Sequence, residues 1–151
     1  MEQGLLSTPQ AEEEHGKTNE AATVRLVRTS CKAFAAGADE KSGVYGQFRI
    51  FAKEFLHHHH LHSLPIIPFR GSRLNILFDN AAGMFFLREQ MLQFLQPFGA
   101  ENRLTKVVLC DIQVPELLAS CKALGLVGRL VTQPLWSVIE KKDVNVLPYW
   151  T

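Results

Sequence analysis

The chain has 151 residues, a single-domain length at which a compact fold buries about 68–70% of the surface exposed by the unfolded form. With 46% hydrophobic and 21% charged residues it has the composition of a globular protein, which excludes disorder throughout. A formal net charge of +1 gives no bulk attraction to nucleic acid or anionic lipid, so any such contact needs a local patch.

Cys31, Cys110 and Cys121 are an odd number of cysteines with neither metal-ligand nor redox-motif spacing, and are read as reduced, packed thiols. No secretory signal and no 18-residue apolar span is visible, so the expectation is an intracellular chain, nuclear or cytoplasmic, without a membrane segment. Residues 1–22 are polar, carry Glu12-Glu13-Glu14, and read as a disordered leader before a helical domain over residues 23–151.

The first helix is expected from Thr23, a candidate cap, to Gly37, because Val24, Val27, Cys31 and Phe34 recur on one helical face. Arg25, Arg28 and Lys32 form a basic stripe, read either as a solvated face or as a candidate phosphate-contacting ridge. Three such contacts, at about 0.9 each, would give DNA binding a log–log salt slope of about −3.

A second helix is expected from near Ser42, with Val44, Phe48, Phe51 and Phe55 on a core face that extends to His58 and His62. The run His57-His58-His59-His60-Leu61-His62 makes His58 and His62 candidate metal ligands, one helical turn apart; Glu54 precedes them on the same face. Nothing in sequence completes a four-ligand set, so the alternative is adventitious transition-metal binding by a low-complexity run, with no resident cofactor. Pro65 and Pro68 break the helix, and Ile66-Ile67 suggests a packed, extended connector over residues 63–72.

The segment from Arg70 to Leu95 admits two readings. Leu74 to Gly83 superficially resembles the strand and Asn-Asn-Ala-Gly turn of short-chain dehydrogenases. A nicotinamide-dependent enzyme of that kind also needs a Gly-rich phosphate turn and a Tyr with a Lys four residues on, and the chain has neither. A long helix capped by Ser72 and closed by Pro97 and Gly99 fits better, with Leu74, Leu77, Phe78, Ala81, Phe85, Leu92 and Leu95 on its face and a middle that is apolar nearly all round.

Asn102 can cap a fourth helix carrying Leu104, Val107, Val108 and Ile112. Pro115 can open a fifth with Leu117, Leu118, Cys121 and Leu124 inside and Gly125 as its stop. Two short apolar segments follow, residues 126–131 and 134–140, and then the apolar tail Val144-Asn145-Val146-Leu147-Pro148-Tyr149-Trp150, which suggests a truncated chain or a docking end. The interior acids Asp79, Asp111, Glu116 and Asp143 could contribute to a carboxylate metal site, but nothing in sequence joins them.

The phrases Val27-Arg28-Thr29-Ser30-Cys31-Lys32-Ala33-Phe34, Glu40-Lys41-Ser42-Gly43-Val44-Tyr45, residues 69–78, and Val114-Pro115-Glu116-Leu117 through Leu135-Trp136 stand in an order that resembles a group of multicopy animal proteins. That group looks derived from hAT-type DNA transposases, and the resemblance covers about residues 24–150. In hAT-type transposases an Arg-Trp pair leads from the RNase H-like core into an all-helical insertion. Arg73-Leu74 falls at that place, with Leu where the aromatic is expected. The resemblance implies a transposon-derived fragment without its ancestor's acidic catalytic triad.

The expected architecture is mainly α, an irregular bundle of about five to seven helices. The expected function is non-enzymatic, through a protein partner, self-association or weak DNA contacts. A DNA-binding module on the basic face and a dehydrogenase-like enzyme are the alternatives. No small-molecule substrate is identified.

Overall fold

A computed structural model describes residues 20–38, 41–71, 74–99 and 101–141, and their secondary structure is helical, with no strand among them. Most of the proposed leader, the Ser72 cap, Asp143 and the apolar tail lie outside the described residues.

The elements in chain order are α1 (Ala22–Phe34), α2 (Tyr45–Phe51), α3 (Lys53–His58), α4 (Leu74–Phe94), a π-helical turn (Leu95–Gly99), α5 (Arg103–Ile112), α6 (Pro115–Val127), a second π-helical turn (Gly128–Thr132) and α7 (Gln133–Ile139). The mainly α bundle expected from the sequence is therefore the observed architecture. No helix among the described residues is long and apolar enough to cross a membrane.

α1 begins at Ala22 without a side-chain cap, so Thr23 lies inside it, and it ends at Phe34, before Gly37. Val27, Cys31 and Phe34 are buried as their spacing required, whereas Val24 is only half-buried. Leu26, Thr29, Ser30 and Ala33 are buried too, because α1 runs against α4, α5 and α6 and has little free face.

At its C-terminal end Phe34 meets Phe48 edge to face, with ring centroids 4.7 Å apart, and Phe94 of α4 closes on Phe48 at 5.4 Å. Such tilted pairs add about 0.5–1.5 kcal/mol each beyond their burial. α2 and α3 are nearly one helix, since Ala52 at their junction still donates to Phe48 O and Leu56 N–H still donates to Ala52 O, each at 2.9 Å.

α4 is the central element and packs most extensively along α6. One buried stripe along it is Asn80, Met84, Leu87, Met91 and Phe94, at i, i+4, i+7, i+11 and i+14. Of the expected face, Ala81 and Leu95 are buried, but Leu77, Phe78, Phe85 and Leu92 are half-buried. A helix apolar nearly all round does not announce which side its neighbours will choose.

Two residues of α4 fasten the connector. Asn80 Oδ1 accepts from Ile67 N–H at 2.8 Å, and Gly83 lies so close to Pro65 that a Cβ on it would stand 1.7 Å from the Pro65 carbonyl oxygen. Asn80 and Gly83, which gave the segment its dehydrogenase-like look, thus act as helix-packing residues. Ile66 is buried there while Ile67 is exposed.

α5 is capped as its sequence proposed: Asn102 Oδ1 accepts from Thr105 N–H at 3.0 Å, and Asn102 N–H donates back to Thr105 Oγ1. Pro115 opens α6. Gly125 does not stop it; α6 continues to Val127, and Gly125 faces inward, where a Cβ would lie 2.9 Å from Ala82 Cβ. The glycine serves the close approach of α4 and α6.

Candidate interaction surface

The two short apolar segments after Gly125 join α6 into one helical arm over residues 126–139, in which Arg129 is the one charged residue. Pro134 has no N–H to continue an α-helical ladder, and the widened turn Gly128–Thr132 ends two residues before it.

One side of the arm faces α4 and, apart from Trp136, is small or polar. A Cβ on Gly128 would stand 2.9 Å from Phe78 Cβ, so backbone meets ring there. Gln133 Nε2 donates to Asp79 Oδ1 at 3.3 Å, and Thr132, Gln133, Ser137 and Glu140 line a cleft of about 350 Å³ beside residues 75–79.

The other side is apolar and faces outward. Leu126, Val127, Leu130 and Val131 are exposed on the first part, and Leu135, Val138 and Ile139 on the second, with Leu130 72% and Val131 59% exposed. Trp136 borders the cleft and is itself 44% exposed. Elsewhere among the described residues the exposed large hydrophobics are only Ile50, Phe51 and Ile67. The arm is amphipathic with the usual sense inverted, since an ordinary surface helix turns its apolar stripe to the core. Sequence reasoning found the apolar residues but had no local signal that would turn them outward.

The basic stripe does not survive as a stripe. Arg25 is 3% exposed, and its guanidinium grips Asp111 of α5 bidentately, Nε to Oδ2 at 2.9 Å and Nη2 to Oδ1 at 2.7 Å. This removes Arg25 from any phosphate-contacting surface and makes Asp111 its fixed counter-charge. Arg28 donates through Nε and Nη2 to the two Glu20 oxygens at 2.8 and 2.6 Å. The Glu20 carboxylate, chiefly through this hydrogen bond, raises the Arg28 pKa above its ordinary value. Lys32 is exposed, and with Arg28 it borders a cleft of about 420 Å³ whose third cation is Arg70. Arg70 is too distant in sequence for helical periodicity to have joined it to the other two.

The histidine pair is also separated by the fold. α3 ends at His58, and the chain closes in a Schellman turn: His60 takes a left-handed φ of 58°, its N–H donates to His57 O at 3.0 Å, and Leu61 N–H donates to Leu56 O at 2.9 Å. His62 thus lies beyond the helix, and the one-turn spacing expected for His58 and His62 does not exist. His59 instead stacks edge-on against Phe86 at 5.1 Å. Among the described residues no group of three or more His, Cys, Asp or Glu could hold a metal ion. Asp79, Asp111 and Glu116 are likewise dispersed, to Gln133, to Arg25 and to the exposed first turn of α6.

No family model, curated protein or solved structure matches the chain.

Proposed function

We propose that the protein is a helical interaction module, without a catalytic site of its own, that works through the apolar side of residues 126–139 and pairs there with a second copy of itself. The observation that carries this reading is the inverted arm, docked by its polar side and presenting contiguous Leu, Val and Ile outward. Patches of that kind mark contact surfaces. A second copy suits the chemistry because the surface holds only Arg129 as a charge and the whole chain carries +1, so two molecules meet with little repulsion. A two-fold pairing brings the same patch from both sides.

The test is sedimentation of the full chain across a concentration series, beside a Leu130→Lys/Leu135→Lys variant. The expected result is a concentration-dependent dimer that the variant loses while keeping its helical circular dichroism. Identical sedimentation of the two proteins would overturn the reading.

The ancestry in hAT-type transposases belongs to the same proposal, resting on the phrase order given above and on the helical content downstream of Arg73-Leu74. DNA contact is the second reading. It rests on the cleft where Arg28, Lys32 and Arg70 converge, and needs Arg70 to replace the buried Arg25.

A further inference from the structure

A second surface lies along α2 and α3, outside the arm and outside the Arg28 cleft. Because the hydrogen-bond ladder passes through Ala52, Tyr45, Arg49, Lys53 and His57 keep a regular four-residue step across both helices and stand on one side, about 6 Å apart per step along the axis. The Schellman turn at His60 then returns the chain so that His62 reaches the same side. Together with Ile50 they border a groove of about 590 Å³. That volume lies in the usual range of small-ligand sites, roughly 300–1,000 Å³.

The lining is chemically one-sided. Arg49 and Lys53 supply positive charge and N–H donors, His57 and His62 add imidazole nitrogens, Tyr45 adds a hydroxyl, and no carboxylate borders the groove among the described residues. Neither Arg49 nor Lys53 forms an ion pair with a described carboxylate. Glu54 is the nearest acid in sequence and is not among the groove's lining. Beside these cations Ile50 is 77% exposed, an apolar ledge one position from Arg49. An exposed isoleucine beside cations that have no carboxylate partner among the described residues, in a groove that a half-buried tyrosine also lines, offers an apolar surface and a charged one to the same guest.

We infer that the groove between Tyr45 and His62 binds a phosphorylated small molecule with a flat apolar body, a ligand of the nucleotide class, its phosphates on Arg49, Lys53 and His57 and its body over Ile50 and Tyr45. Arg49 contributes the forked geometry that matches phosphate oxygens, and Lys53 a mobile point charge one turn further on.

The inference is tested by calorimetric titration of the full chain with pyrophosphate, with adenosine diphosphate and with adenosine. Both phosphorylated probes are expected to bind saturably, adenosine diphosphate more tightly, and adenosine alone much more weakly. Arg49→Glu/Lys53→Glu should raise both dissociation constants by at least about tenfold, the scale of losing charge-assisted phosphate contacts. Lys106→Glu, an exposed charge change on α5, should leave them within about twofold. Ile50→Ala should weaken adenosine diphosphate and leave pyrophosphate unchanged. No saturable binding of either phosphorylated probe at about 1 mM, or binding indifferent to Arg49→Glu/Lys53→Glu, overturns the inference.

Discussion

The buried pair Arg25–Asp111 ties α1 to α5 across 86 residues of sequence, and its energetics depend on which half is removed. Taking two charges out of water is costly, and the bidentate geometry offsets that cost only while both partners remain. Asp111→Ala should therefore lower unfolding free energy by about 3–5 kcal/mol, whereas Arg25→Met/Asp111→Leu should recover most of the loss. Urea denaturation of the three proteins checks this; equal destabilisation by the single and double variants would contradict it. The thiols give a second residue-scale expectation. Burial pushes Cys31 and Cys121 from an ordinary 9.0 up to about 12. The unfolded chain then releases these protons from about pH 9 while the folded chain holds them until about 12, so the unfolded state binds fewer protons and stability falls as pH rises through that window. Each thiol contributes about 1.4 kcal/mol per pH unit there. Native protein should thus lose more stability between pH 9.5 and 11 than Cys31→Ala/Cys121→Ala, as read from denaturation midpoints.

At the scale of elements, three glycines serve the close approach of neighbouring segments. Gly83, Gly125 and Gly128 each leave room for a neighbour that a Cβ would strike: Pro65 O, Ala82 and Phe78. In an exposed helix Gly→Ala stabilises by about 1 kcal/mol. At Gly125 the sign should reverse, because Ala82 belongs to the backbone-proximal part of α4 and relieving the clash must spread the two helices, at about 1–3 kcal/mol. Gly83→Ala should be worse, since the obstacle is a backbone oxygen. Thermal denaturation of both variants measures the sign directly, and a raised Tm for either would show that α4 is not held as described. Sequence made much of this level legible. The Asn102 cap and Pro115 start were readable because they act within one turn, and the Val27, Cys31, Phe34 spacing because it lies within one helix. Gly125 was read as a stop because a stop and a packing notch look the same until the facing helix is present.

For the whole molecule the decisive feature is that the last described helices turn apolar side chains to solvent while their polar side closes on α4. The proposed association through that side would make stability depend on concentration, because pairing favours the folded form by mass action. Tm should therefore rise with protein concentration for the native chain and stay constant for Leu130→Lys/Leu135→Lys. The same distinction separates what the two kinds of information decide. Sequence alone determined that the chain is helical, where several helices begin, and that aromatic and aliphatic residues form a core, because periodicity, caps and proline are local constraints. Only the tertiary structure decided that Arg25 is buried against Asp111, that His58 and His62 part at a left-handed turn, that Arg70 joins Arg28 and Lys32, and that residues 126–139 face outward. Each of these depends on a partner distant in sequence or on a change of chain direction, and pairing of that kind leaves no trace in the spacing of residues along a single helix.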